Sequence, residues 1–215
     1  MARSGDTTVV HHPLFARMYA RLADQFEAKG AAELRDEALA GLVGRVVEVG
    51  AGTGINFAHY PETVAELVAV EPEPYLRELA TRAAGAARVP VTVVDGVADR
   101  LPLDEASCDV GVASLVLCSV PDQAAALGEL RRVIRPGGEL RFFEHVLADT
   151  PRLARAQRAA DVVWPRVCGG CHADRRTLEA IGGAGFVVDK VREFRFRPSL
   201  LTTLTSPHIV GVARR

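Results

Sequence analysis

Short apolar runs alternate along this chain with stretches in which apolar residues fall every three or four positions. Val46-Val47-Glu48-Val49, Leu67-Val68-Ala69-Val70 and Val91-Thr92-Val93-Val94 are rich in β-branched residues and bounded by turn-formers. That pattern predicts strands buried in a sheet. Residues 110–116 predict a fourth strand, 139–146 a fifth, and 186–196 and 207–213 two more. The helical spacing begins with Leu14, Phe15, Met18, Leu22, Phe26, Leu34 and Leu39, interrupted near Gly30, and predicts one or two amphipathic helices over 13–39. Further helices are expected at 55–60, where Pro61 stops the chain, from Pro72 onward, from Asp122 through Arg132, over 151–164 and over 174–181. Strands alternating with helices predict a single α/β domain.

The first strand breaks into Gly50-Ala51-Gly52-Thr53-Gly54, three glycines at alternate positions. Glycine lets a backbone turn sharply and approach a ligand where a Cβ would collide. The spacing is not the G-x-G-x-x-G of dinucleotide sites, because Ile55 stands where the last glycine would fall. The short helix that follows would point its N-terminal peptide dipoles at the same ligand. Glu71 ends the second strand about 20 residues beyond the loop, where an acid can accept both hydroxyls of a ribose. Asp95-Gly96-Val97 ends the third strand, and Ser114-Leu115 lies near the end of the fourth. In open α/β sheets ligands sit at these carboxyl ends, beside the point where strand order reverses.

Composition narrows the function. The 215 residues are 48% hydrophobic, which excludes a disordered chain, and the formal charge of −1 provides no field for gathering nucleic acid or anionic lipid. No apolar run approaches the ~18–20 residues that span a bilayer. The polar opening segment, expected to fray, carries no apolar core of a secretory signal, so the expectation is a soluble cytoplasmic protein. Nothing in the sequence sets an oligomeric state.

At Glu48-Val49-Gly50-Ala51-Gly52-Thr53-Gly54 the chain resembles the first motif of class I S-adenosylmethionine-dependent methyltransferases, and Arg135-Pro136-Gly137-Gly138 before the fifth strand resembles a second, structural signature of that group. The resemblance implies a Rossmann-like fold with a seven-stranded, mostly parallel sheet and an antiparallel C-terminal hairpin. The helices of residues 1–40 read either as packing against the sheet or, functionally, as a lid over the cofactor pocket, with 41–147 the cofactor-binding core, 148–185 the substrate side and 186–215 the hairpin. It also implies S-adenosylmethionine as cofactor, with Glu48 facing the methionyl ammonium and Gly50, Ala51, Gly52 and Gly54 making room for the sulfonium ligand. Glu71 and Pro72 would flank the ribose, Asp95, Gly96 and Val97 the adenine, and Ser114 and Leu115 the methyl group. Tyr19 would face the ligand from the lid.

Substrate information should lie in the N-terminal helices and in 145–185. Arg152, Arg155 and Arg158 on one helix face read as a solvated surface, with an anionic-lipid face as the alternative. Cys168-Gly169-Gly170-Cys171-His172 offers three potential metal ligands, but structural zinc takes four, often as two separated pairs, and the motif does not follow the first strand of a βαβ unit as a redox pair would. A glycine-rich loop lining the substrate pocket, with Cys171 and His172 directed inward and no metal, is the preferred reading. Cys108 and Cys118 fit buried free thiols, Cys118 next to the acceptor.

Residues 114–120, Arg135–Gly138, Glu144-His145, Trp164, 169–172 and Arg176-Thr177 together resemble the methyltransferase-like subfamily that includes animal alkyl-thiol S-methyltransferases. The match departs in its added cysteine and in lacking the apolar N-terminal anchor of the animal proteins. The resemblance implies methyl transfer to a small molecule, first a thiol, with a phospholipid amine or a quinone or phenol ring as the runner-up. His145 and His172 are the candidates for general base or thiolate partner. A nicotinamide oxidoreductase, against which the missing glycine counts, and a non-catalytic cofactor-binding module are the readings from other classes.

Overall fold

In the computed structural model, which describes residues 12–215, seven strands form one sheet in the order β3-β2-β1-β4-β5-β7-β6. They are β1 (Gly44–Val49), β2 (Val64–Val70), β3 (Val91–Val94), β4 (Cys108–Ser114), β5 (Ile134–His145), β6 (Val187–Arg195) and β7 (Pro207–Arg214). Neighbours from β3 across to β5 pair in parallel, while β7 runs antiparallel to both β5 and β6. Among the described residues seven α-helices flank the sheet: α1 (Pro13–Phe26), α2 (Ala32–Leu39), α3 (Pro74–Ala84), α4 (Gln123–Val133), α5 (Pro151–Asp161), α6 (Trp164–Val167) and α7 (Thr177–Gly183). The expected α/β architecture and C-terminal hairpin are both present.

The runs lack polar alternation because both faces are covered. Val47, Val49, Phe142 and Ile209 turn to a core completed by Leu127, Leu130 and Val133 of α4 and Ile181 of α7. Their neighbours Val46, Phe143 and Val210 turn to the opposite core, closed by Leu34, Ala38 and Leu39 of α2 and Ala80 of α3. Side chains that alternate about the strand axis thus feed two cores at once. The sheet order reverses between β1 and β4, where Val49 pairs with Ala113. The loops after these two strands therefore diverge and leave a crevice at their carboxyl ends.

Several local expectations change. The helix expected at 55–60 is a 3-10 turn, Ile55–His59, entered from Gly54 in the left-handed region, and is too short for a dipole site. The fourth strand stops at Ser114 because Leu115 takes φ 55°. The fifth begins at Ile134, so Arg135–Gly138 bulges within it: the register jumps from the Cys108–Ile134 pair to Val110–Glu139. The helix expected over 151–164 ends at Asp161, and Trp164–Val167 is a separate turn with Pro165 inside. The interruption near Gly30 is present, with Lys29 and Gly30 out of helical geometry between α1 and α2. Arg152, Arg155 and Arg158 of α5 are exposed, and no helix among the described residues is long and apolar enough to cross a membrane. Of residues 1–12, expected to be frayed, 1–11 lie outside the described part.

Candidate active site

A cavity of about 980 Å³ opens at the crevice between β1 and β4. Its floor is the glycine loop. Gly50 has φ 66°, and a Cβ on it would lie 2.3 Å from Val116 Cγ2, so only glycine lets β1 and the turn after β4 meet. Its N–H donates to Val70 O at 2.8 Å, which locks the turn to the end of β2. Tyr19 of α1 lies over Gly52, where an added Cβ would meet its Cε1 at 3.3 Å.

One wall holds acids. Glu71 is buried at the end of β2; one carboxylate oxygen accepts from Gly52 N at 2.7 Å and the other from Glu73 N at 2.9 Å. Burial pushes its carboxyl up to about 7 against these backbone bonds. Glu48 is set deeper, accepting from Asn56 Nδ2 at 2.5 Å and Tyr60 Oη at 3.0 Å, and burial raises it to about 7 as well. It does not line the cavity; what reaches the cavity from that network is Arg35. The Arg35 guanidinium is 6% exposed and donates to Glu27 at 2.8 Å, Asn56 Oδ1 at 2.6 Å and Ser114 Oγ at 3.2 Å. Sequence reasoning missed this residue. The available signal was a cation standing among Leu34, Ala38 and Leu39 on the buried face of a helix, a position charged residues occupy only when paired.

Tyr19, Gly50, Gly52, Glu71, Pro72, Gly96, Val97, Ser114 and Leu115 all line the cavity. Ala51 and Gly54 are buried and do not line it. Asp95 stands apart: its side chain is 73% exposed and pairs with Arg77 Nη1 at 2.9 Å, beyond the cavity wall. The turn ends the short third strand, and residues Gly96 to Arg100 line the wall instead.

At the other end the turn after β4 is shaped by strain. Leu115 holds a left-handed φ, which costs a non-glycine residue about 1–2 kcal/mol. Glu144 offsets this by accepting from Val116 N and Leu117 N, each at 2.9 Å, so this buried acid serves as a clamp. The clamped turn presents Cys118 to the cavity. His172 N donates to Cys118 O at 2.8 Å and brings the Cys-Gly-Gly-Cys loop alongside. The loop's Gly169 lies against Phe15 of α1, 2.4 Å from where a Cβ would be, so α1 closes over this end.

Three side chains meet here. Cys118 Sγ, Cys171 Sγ and a His145 ring nitrogen all lie within 4.8 Å of one another, with His145 Nε2 3.1 Å from Cys171 Sγ. The hydrogen bond from Cys118 and then, against the cost of burial, the neighbouring His145 hold the Cys171 thiol far below its ordinary value, while the same bond and burial push Cys118 well up. Burial lowers the His145 imidazolium, but Cys171 outweighs it and keeps His145 above its usual value. His172 does not join them. Its Nδ1 lies 2.6 Å from Asp161 Oδ2 and its ring does not line the cavity, which corrects the expectation that it points inward. The cause is α5 ending at Asp161, whose carboxylate also accepts from Ala173 N at 2.6 Å and so holds the loop's far side outward.

Residues 47–142 match the family model described as a methyltransferase domain. Over 181 residues the chain is 34% identical to human thiol S-methyltransferase TMT1B, covering 81% of this chain and 73% of that protein. It is 32% identical to the ubiquinone/menaquinone biosynthesis C-methyltransferase UbiE of Syntrophotalea carbinolica, over 64% of this chain and 59% of that one. Among solved structures, a SAM-dependent methyltransferase of Thermotoga maritima, a possible histamine N-methyltransferase, superposes with a TM-score of 0.69 at 22% identity, covering 94% of this chain and 97% of its own.

Proposed function

This chain belongs to the class I S-adenosylmethionine-dependent methyltransferases, in the family that includes human thiol S-methyltransferase TMT1B, and on that premise we propose that the acceptor it methylates is a small, largely apolar thiol. Membership removes the nicotinamide oxidoreductase and the non-catalytic module as readings. The observation that carries the acceptor is the far wall of the cavity. There Phe15, packed on the Gly169 loop, and Trp164, beside Cys171, line the cavity with two thiols and an imidazole, a setting suited to a soft nucleophile on an apolar stem.

The cofactor fits the opposite end. Gly50 and Gly52, both at positive φ, leave the backbone bare where it faces the cavity, and a Cβ at Gly50 would collide with the β4 turn. Glu71 keeps lone pairs beyond its two backbone bonds for the ribose hydroxyls. The Arg35 guanidinium is placed for the methionyl carboxylate, a role that Glu48 supports through Asn56. When bound, S-adenosylmethionine supplies an electrophilic methyl group whose leaving group is a neutral thioether. The chain's part is then alignment, exclusion of water and removal of the acceptor's proton. Ser114 and Leu115 stand between the two ends and set the line of approach. The α1 helix, seated on Gly52 and Gly169 through Tyr19 and Phe15, closes the cavity over both.

Arg35→Met tests the cofactor arrangement. The variant is expected to bind S-adenosylhomocysteine about tenfold to a hundredfold more weakly, the loss of one charge-assisted pair. Methylthioadenosine, which lacks the carboxylate, should bind the variant and the wild type alike. Equal losses for both ligands by calorimetric titration would place Arg35 in the scaffold instead. The acceptor is tested by methyl transfer from S-adenosylmethionine to alkyl thiols, to phenols and reduced quinones, and to lipid amines in parallel. Turnover confined to the thiols is expected. Turnover on the quinones alone would move the acceptor to the class acted on by UbiE, and turnover on the lipid amines alone to phospholipids.

A further inference from the structure

Within the Cys-x-x-Cys loop itself, Cys168, Cys171 and His172 lack a fourth ligand, so the sequence leads to no metal there. The fold dismantles that trio by turning His172 onto Asp161 and assembles a different one. We propose that Cys118, His145 and Cys171 form a three-ligand site for zinc, and that its fourth position takes the sulfur of the acceptor thiol. This rests on the thiol reading of the cavity and deepens it.

Three observations support the site. The donor atoms lie within 4.8 Å of one another, and Nε2 to Sγ of Cys171 is 3.1 Å. A tetrahedral zinc with its usual bond lengths sets sulfurs ~3.8 Å apart and sulfur and nitrogen ~3.6 Å apart, so sub-ångström side-chain shifts admit the ion. The donors are also held in advance by their backbones. Cys118 follows the turn clamped by Glu144, His145 is paired across to His208 on β7, and the Cys171 loop is tied to Cys118 through the His172 amide. Finally, all three line the cavity, so the position a closed structural site would fill with a fourth protein ligand opens toward the acceptor. Two sulfurs, one imidazole and an open position form the donor set of a catalytic zinc site, and soft donors select zinc over magnesium or calcium.

The site would generate the acceptor's thiolate and hold it. A free thiol is mostly protonated at neutral pH, and its thiolate would have to be held against the apolar wall. Coordination releases the acceptor's proton to solvent and fixes the sulfur. The bound thiolate then forms the new sulfur–carbon bond as the sulfonium–methyl bond breaks, and that electron pair stays on the departing thioether. His145 is then a ligand through Nε2.

Cobalt(II) provides a readout independent of activity, because thiolate ligation produces an intense near-ultraviolet charge-transfer band. Full-length protein, stripped with chelator and titrated with cobalt, is expected to bind one ion with that band. Adding a small alkyl thiol should shift it. Cys118→Ser and Cys171→Ser, verified as folded by circular dichroism, should weaken cobalt binding about a hundredfold or more. Cys168→Ser should retain the stoichiometry, and so should Cys108→Ala, which lies at the opposite, amino-terminal end of β4. Absence of the band in wild-type protein, or its loss with Cys168→Ser and survival in Cys118→Ser, overturns the proposal. So does thiol methylation at an unchanged rate in the chelator-stripped enzyme, an outcome that leaves the thiol reading standing. Cobalt bound with the band, but neither shifted by thiols nor accompanied by thiol turnover, overturns the substrate role and the thiol reading together.

Discussion

Glu71→Ala is expected to lower the affinity for S-adenosylhomocysteine about fiftyfold or more, measured by calorimetric titration. Each hydroxyl bonded to an ionised carboxylate is worth about 1.5–3 kcal/mol, and a ribose would place two there. The role also predicts a pH dependence. Burial raises the Glu71 carboxyl to about 7, with Glu73, Arg77, Tyr19 and Glu48 as the ionisable groups around it. A folded value above the ordinary one means that Glu71 contributes stability to the ligand-free protein at low pH and loses it as pH rises through 7. Binding has the opposite slope, because the hydroxyls need the ionised form. Affinity should therefore rise about tenfold between pH 6 and 8, in proportion to the ionised fraction. Glu71→Gln should remove Glu71's part of that slope, while Glu48, which also titrates near 7, remains in both proteins and cancels in the comparison. The ligand-free Glu71→Gln protein no longer buries a charge at pH 8 but keeps one acceptor for the two amides of Gly52 and Glu73, so it should melt close to wild type. A variant that melts lower and keeps its affinity would make Glu71 a structural tie for the glycine loop.

Gly50→Val should abolish detectable cofactor binding, a loss of more than about a hundredfold, and destabilise the fold by roughly 3 kcal/mol or more. The added Cβ would sit 2.3 Å from Val116 Cγ2 and 2.9 Å from its Cβ, and the second of these cannot move aside by rotation. The left-handed φ of 66° adds strain for a β-branched residue. Relief requires the β1 loop and the β4 turn to part, which widens the crevice where the ligand would lie. Gly128→Ala is the matched control. Gly128 lies in α4 with nothing within 4 Å of its would-be Cβ, and the exchange should raise stability by about 0.5–1 kcal/mol with no effect on binding. Retained affinity in a folded Gly50→Val protein would show that the cofactor does not approach this loop.

The buried strands and the glycine loop were legible because their causes are local. A β-branched run reports a buried strand wherever it sits, and Gly50 reports a backbone that tolerates no side chain. Glu71 was legible for the same reason, as its place at the end of β2 follows from counting along one strand and one loop. Element edges drifted where tertiary partners won. Leu115 leaves the extended region early because Glu144 satisfies the amides it exposes, and α5 stops at Asp161 because that carboxylate bonds the loop beyond it.

The acceptor end was much less legible. Gln157, fully buried, spans Val146, Ala148, Ala173 and Leu204 with its amide, yet it reads in the sequence as one more polar residue of a solvated helix. Asp95 belongs to the right turn and is carried outward to Arg77, while Arg35 comes to the cavity from a helix that reads as packing. Cys118, His145 and Cys171 are separated by 27 and 26 positions, on a turn, a strand end and a loop. Periodicity reports how each residue sits on its own element. Which side chains share a space depends on sheet order, strand length and the packing of α1 against the loops. The Cys-x-x-Cys-His stretch drew attention through its spacing, but the sheet takes one of its three residues, sets it against Cys118 and His145 from elsewhere, and leaves His172 facing Asp161.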